Sequence, residues 1–335
     1  MFSMSQFSLR GKSTMMKLKL LNEVFVLDKI AILGQSTAIY AQFNTGKTLL
    51  CLWMLKESIK QGVINPDDVY YINADDSLTG LNWKNENIAE EYGFHMVAPG
   101  WEGFETQHLL SYMHQMCLDD TANGKIIFLD TLKKFTDLMN KNQASDFSNK
   151  MREFTTKGGT IIMMAHTNKN RNSNGKLVYG GTNDIPSDVD CVYTLDEISK
   201  NDTTKQVLFE CIKKRGNNSN ELGFRYSVEE DADYRHIFNS IELEDRAATS
   251  QIKQEKMEAD KLAEDKPAID AIIEAIKSGI VLKSEIIKSV CENSFISTRK
   301  AAWVLNEYKN RFWIEHIGDR NLHSYTLVPD CYPNY

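Results

Sequence analysis

The stretch that most constrains this chain is Ala38–Leu50. A short apolar run enters a polar turn there, and Gly46-Lys47-Thr48 opens an amphipathic helix continuing through Leu52, Trp53 and Leu55. Strand, loop and helix in that order are the context a phosphate-binding loop requires. Successive backbone N–H groups at a helix N-terminus can cradle phosphate oxygens, helped by the positive end of the helix dipole. The expected nucleotide contacts are therefore Ala41, Asn44, Thr45, Gly46, Lys47, Thr48 and Leu49. Gly46 lets the backbone approach closely, Lys47 would reach the β- and γ-phosphates, and the Thr48 hydroxyl would bind Mg²⁺. ATP and Mg²⁺ are the ligands this chemistry suits. Ala41 stands where the first glycine of the pattern usually does. The alternative is a Gly-Lys-Thr that merely starts a helix, and the rest of the chain bears on that choice.

At 335 residues the chain can bury one large core and one smaller one, so two domains are expected. A net charge of −7 argues against a uniformly basic surface, and any nucleic-acid contact must come from local patches. The cysteines at 51, 117, 191, 211, 291 and 331 show no Cys-x-x-Cys spacing. They read as reduced thiols of a cytoplasmic protein, without a zinc site. No apolar run approaches the ~20 residues that span a bilayer, so no membrane association is expected. Residues 1–23 are Ser- and Met-rich without the continuous apolar core of a signal peptide, and read as a flexible tail.

Along the chain, strands are expected over 24–33, 38–41, 68–76, 125–131, 160–165, 190–195 and 207–212. Residues 81–120 read as mostly helical with a break at Pro99-Gly100, and 133–154 as largely helical. Alternating strands and helices indicate an α/β domain over 24–243 with a mostly parallel, doubly wound sheet, whose ligands sit at the strand C-termini. Residues 244–266 are charged and helix-forming and read as a linker, with Pro267 starting a new unit. In 267–329 three helical patterns are expected. Ile269, Ile272, Ile273 and Ile276 mark the first, Lys283–Val290 the second, and the third starts after Ser297. Trp313, Glu315 and Ile317 then alternate up to a Gly318–Asn321 turn, from which Tyr325 and Leu327 return. Three helices and a hairpin in about 65 residues resemble a winged helix.

Several polar positions fall where such a sheet gathers its ligands. Asp130 ends a continuous apolar strand and would hold Mg²⁺ opposite Thr48. Asp75 and Asp76 follow the 68–76 strand, and a pair of turn-forming acids is the other reading of them. The stretch 170–182 is polar, glycine-containing and locally basic. With Lys169, Arg171 and Lys176 it suits a nucleic-acid backbone, or is a surface loop. In the last unit, Arg299 and Lys300 would begin a recognition helix, with Arg320 and His323 on the wing. That unit is roughly charge-balanced, and both DNA contact and protein docking remain open for it.

Residues 24 to about 240 resemble the RecA-like ATPases, most closely the RepA-type hexameric replicative helicases of plasmids and phages. The carrying segments are Ala41–Thr48, Asn73–Asp76, Phe128–Leu132, Ala165–Lys169, Tyr179–Thr182 and Lys213–Gly216. The resemblance implies a RecA-like P-loop NTPase core. It implies that Asp75 positions the attacking water, although the family residue is usually Glu, and Asp76 could serve instead. It further implies that His166 senses the γ-phosphate and signals to the following loop. Lys213 and Arg215 would reach the ATP of a neighbouring subunit as a finger. The expected activity is that of an ATP-dependent DNA helicase or translocase in replication of a plasmid, phage or mobile element. It would assemble as a homo-oligomeric ring of six on single-stranded DNA, with a replication-protein partner docking through the winged helix. A RecA/RadA-like recombinase or helicase loader is an alternative, and so is a nucleotide-gated DNA-binding regulator.

Overall fold

The computed structural model describes residues 3–21, 23–167 and 184–329, and divides into two compact units, 1–252 and 253–335. The segment expected to be a flexible tail forms a 3₁₀ turn, Met4–Phe7, and a helix α1 (Ser13–Leu21). Lys, Leu and Met are good helix formers and no Gly or Pro interrupts them. The Met15, Met16, Leu18 and Leu21 side chains on this helix are exposed.

The expected 24–33 strand is instead a small hairpin of β1 (Phe25–Leu27) and β2 (Ala31–Ile32), turned at Lys29 with φ 51°. The main sheet then begins with β3 (Ser36–Ala41), followed by α2 (Lys47–Lys60) and β4 (Val69–Asn73). Helix α3 (Leu78–Lys84) passes through a π-turn, Asn85–Ala89, into α4 (Glu90–Tyr92). Next come β5 (His95–Val97), α5 (Leu109–Leu118), β6 (Ile126–Asp130), α6 (Lys141–Thr156) and β7 (Thr160–His166). After α7 (Asp184–Asp188) the chain runs through β8 (Cys191–Lys200), β9 (Thr204–Lys213), β10 (Glu221–Ser227), α8 (Tyr234–Asn239) and β11 (Glu242–Leu243).

The strands form one nine-stranded sheet ordered β11-β10-β9-β8-β3-β7-β6-β4-β5. Strands β8, β3, β7, β6, β4 and β5 pair parallel, whereas β9, β10 and β11 add antiparallel. This is an α/β fold with a large, mostly parallel central sheet, compatible with a Rossmann- or RecA-like core.

Both faces of the sheet are covered, which is why its inner strands are continuously apolar. Successive side chains alternate faces. Ile39, Tyr71, Phe128 and Met164 pack with α2, while Tyr40, Ile72, Leu129 and Met163 pack with α5 and α6. Burying each such side chain contributes roughly 1.5–3 kcal/mol. The sequence reading placed β5 inside a helical region and omitted β10 and β11. Three-residue β5 and two-residue β11 are too short to show a period, but Leu222, Phe224 and Tyr226 do alternate inward along β10.

In the second unit the expected break at Pro267 does not occur. One helix, α9, spans Arg246–Lys277 with Pro267 inside it. From Lys253 on, the residues before the proline belong to this unit, because Leu262 packs on its core and buried Asp265 accepts from the Tyr308 hydroxyl at 2.7 Å. Those contacts outweigh the one backbone donor that proline removes. Helices α10 (Lys283–Ser294) and α11 (Thr298–Glu307) follow, the latter capped by the Ser297 side chain as expected. Strands β12 (Trp313–Ile317) and β13 (His323–Leu327) form an antiparallel hairpin over buried Trp313 and Tyr325.

Within that hairpin Glu315 accepts from Lys309, Tyr325 and His323, each at 2.7 Å. Lys309 first, then Tyr325 and His323, pull its carboxyl from the ordinary 4.5 to about 2. A folded pKa below the unfolded one gives stability that is complete above about 4.5 and lost as pH falls toward 2. Glu315→Gln should therefore destabilise the unit by roughly 1–3 kcal/mol at neutral pH. The deficit should shrink on acidification through that window. Urea melts at neutral and at strongly acidic pH check this, and an equal deficit at both would assign the carboxylate charge no role.

Candidate nucleotide-binding site

The loop between β3 and α2 adopts two left-handed positions, Asn44 at φ 60° and Gly46 at φ 93°. Gly46 serves as the N-cap of α2 without a side-chain cap. A Cβ at Gly46 would lie 2.5 Å from the Tyr226 hydroxyl, so glycine is required by space as well as by φ. From Phe43 to Leu49 no backbone N–H finds an acceptor among the described residues, and the first return bond is Leu50 N–H to the Gly46 carbonyl at 2.9 Å. An unpaired run of N–H groups at a helix N-terminus is an anion site in waiting.

Lys47 opens the helix as a residue 7% exposed, and no carboxylate pairs with it among the described residues. An ammonium withdrawn from water without a counter-charge is costly, and an incoming anion would relieve it. Opposite it, Asp130 is buried at the end of β6. Its Oδ2 accepts from the Thr48 hydroxyl at 2.7 Å and the Tyr71 hydroxyl at 2.9 Å. Oδ1 carries no hydrogen bond among the described residues. Hard oxygen donors of this kind, a hydroxyl and a carboxylate, suit Mg²⁺. Burial, and then the Asp130 charge, push the Tyr71 phenol up, so it stays a donor.

The two acids after β4 have different surroundings. Asp76 is engaged by the Lys84 ammonium and by Asn73 Nδ2 at 2.7 Å. Asp75 lies more open, with Oδ2 4.0 Å from His166 Nε2 and Oδ1 4.0 Å from Lys134 Nζ. His166 ends β7 with neither ring nitrogen hydrogen-bonded among the described residues, and exposed Phe43 stacks on it at 4.0 Å between centroids. Burial first, then the Lys47 and Lys133 cations, hold its imidazole below the ordinary histidine range, with Asp75 opposing. The ring is therefore neutral at pH 7.

Sequence-expected residues Ala41, Asn44–Leu49, Asp75, Asp130 and His166 thus gather at one end of the sheet. Lys213 and Arg215 do not join them. Lys213 donates to the carbonyls of Pro186, at 3.1 Å, and Ser187. Arg215 pairs with Asp190 at 3.2 Å, beside Ser36 at the start of β3. The far end of β9 lies roughly 25 Å from the loop at ~3.3 Å per residue. Lys169, Arg171, Lys176 and the 170–182 stretch lie outside the described residues.

The second unit corrects one expectation. Lys300 is no free cation for a recognition surface, since it pairs with buried Asp265 at 2.5 Å and Glu264 at 3.5 Å. An ion pair to a buried acid holds it against its own helix bundle. His323 is likewise engaged by Glu315. Arg299 is exposed, and exposed Arg320 stands in the hairpin turn at φ 56°.

Two residues missed in the sequence reach the loop from the antiparallel half of the sheet. Lys205 Nζ donates to the Asn44 carbonyl and the Tyr226 hydroxyl to the Thr45 carbonyl, each at 2.9 Å. The inward alternation of β10 was the available signal for Tyr226; nothing local marks Lys205.

No protein-family model and no curated protein matches this chain, so its assignment rests on its own residues and geometry.

The acids make a structural prediction. Asp76→Asn weakens a hydrogen-bonded ion pair and should lower stability by roughly 1–3 kcal/mol. Asp75→Asn, removing only contacts at 4.0 Å, should leave the melting temperature within error. Thermal melts of both variants decide it, and equal losses would refute the division of roles.

Proposed function

We propose that this chain is a RecA-like ATPase that binds ATP with Mg²⁺ and uses its hydrolysis to move along single-stranded DNA. The carrying observation is the run of loop N–H groups beside the buried Lys47 ammonium, all without a partner among the described residues. Phosphates supply what both lack: acceptors for the N–H groups and a counter-charge for the lysine. Thr48 and Asp130 would hold Mg²⁺, which when bound neutralises charge on the phosphate oxygens.

The remaining groups suit phosphoryl transfer to water. Asp75, the more open of the two acids, orients the attacking water and takes its proton. His166, neutral and without a hydrogen-bond partner, can donate one N–H to a γ-phosphate oxygen. It sits just before the segment expected to meet nucleic acid, which makes it the coupling element. The terminal unit is read as a winged helix, with Arg299 and Arg320 rather than Lys300 as its free cations. Lys213 and Arg215 are too far from their own loop to act on it, so a ring assembly is the setting in which they would meet a nucleotide.

Two variants test the nucleotide reading. Lys47→Ala should abolish ATP turnover without lowering the melting temperature, and parental turnover in the folded variant would remove the assignment. Asp75→Asn should keep ATP binding and lose ~10²–10⁴-fold in turnover; a loss confined to Asp76→Asn would move the base by one residue. The motor reading is checked by adding single-stranded DNA and a forked duplex. Faster turnover with strand displacement is expected, whereas turnover indifferent to DNA would leave an ATPase of another purpose.

A further inference from the structure

In a trans peptide the carbonyl and the following N–H point in opposite directions. Fixing the carbonyls of a loop on one side therefore fixes its N–H groups on the other. Three successive donors do this between β3 and α2. The Gln42 carbonyl accepts from the Thr45 hydroxyl at 3.0 Å, the Asn44 carbonyl from Lys205, and the Thr45 carbonyl from Tyr226. The N–H groups opposite those carbonyls belong to Phe43, Thr45 and Gly46, and all three stand unpaired among the described residues.

Both outer donors are built into the sheet rather than hanging over the loop. Lys205 is 8% exposed at the start of β9, and a second contact to Glu197 at 3.1 Å steadies its ammonium. Tyr226 is 4% exposed on β10, and burial pushes its phenol up, so it remains a donor across the working pH range. Its hydroxyl occupies the space a Cβ on Gly46 would need. Without these donors the carbonyls of Asn44 and Thr45 would be free to turn toward the phosphates, where their negative ends would repel them.

We propose that Lys205 and Tyr226 are positioning residues of the phosphate site, holding the Asn44 and Thr45 carbonyls away so that the loop N–H groups are preorganised for anionic phosphate oxygens. This rests on the nucleotide reading above and assigns the antiparallel half of the sheet a part in it. Neither residue touches phosphate in this arrangement; both act through the loop backbone.

Tripolyphosphate with Mg²⁺ is the probe, because it presents phosphates without a base or sugar. Calorimetric titration of the full chain compares the parent with Tyr226→Phe, Lys205→Met and Lys205→Arg. Tyr226→Phe and Lys205→Met should each weaken tripolyphosphate and MgATP by roughly three- to tenfold, the worth of one hydrogen bond. Melting temperatures should hold, and Lys205→Arg should recover most of the affinity. If the parent binds both probes and the two variants bind them equally well, the clamp is overturned while the nucleotide site stands. If the parent binds neither probe, the site reading itself fails and takes the clamp with it. Should Tyr226→Phe fail to fold, Lys205→Met and its arginine rescue, made on a different strand, decide alone.

Discussion

The candidate site depends on the register of β3 with its parallel neighbours. Ala41 pairs with His166, Met164 with Asp130, and Asp130 with Asn73, so the ends of β3, β7, β6 and β4 finish within one turn of chain of each other. Period-two alternation then decides which face each end presents. Asp130 follows Phe128 and Ile126, His166 follows Met164 and Ile162, and Asn73 follows Tyr71 and Val69, all on the side packed by α2. A slip of one residue in any of these strands would turn its polar end away from Lys47 and Thr48. The apolar runs that cover the sheet on both faces are what forbid that slip, because each slipped strand would present misfitting volumes to two cores instead of one. Core packing and site geometry are therefore one constraint.

Charge within the site is arranged by contrast. Asp76, engaged by Lys84, and Asp130, engaged by two neutral hydroxyls, are held in place. Asp75 and Lys47 are left with little to hold them. Groups that fix geometry are satisfied and groups that would meet a ligand are not. His166 belongs to the second kind, since Phe43 and burial strip it of water without giving it a hydrogen bond. A half-buried imidazole with unsatisfied ring nitrogens and a buried ammonium with no carboxylate partner among the described residues raise the energy of the free protein, and an anionic ligand would lower it.

How much of this was legible in the sequence follows from the range of the forces involved. The strand–loop–helix at Ala38–Leu50, Asp130 at the end of an apolar run and His166 at the end of another are local patterns, and the structure brings them together. Lys205 and Tyr226 act on the loop from more than 150 residues away. Their role arises from antiparallel strands folding back beside β3, which no local window contains. The short edge strands carry too few residues for a period. Lys300 looked like a free cation at a helix start because its partner, Asp265, sat in what read as a linker. Pro267 seemed to divide the two, yet a buried acid bonded by Tyr308 and Lys300 outweighs the loss of one helix donor.

The far end of the sheet shows how firmly the remaining basic residues are held. Asp190 accepts from the Ser36 backbone and hydroxyl at 3.0 and 2.9 Å, from Arg152 at 2.9 Å and from Arg215 at 3.2 Å. Burial opposes its ionisation, but the Ser36 and Arg152 hydrogen bonds and the Arg152 charge together hold its carboxyl below the ordinary range. Because three donors remain if Arg215 departs, the carboxylate is never stranded. Arg215 is also about half exposed, and an exposed ion pair contributes only ~0–1 kcal/mol. Lys213 differs: it closes the backbone carbonyls of Pro186 and Ser187, which would be left without that donor. Of the two basic residues, Arg215 is thus the one whose partner can be given up at small cost, while Lys213 is held to its own chain as a brace for α7.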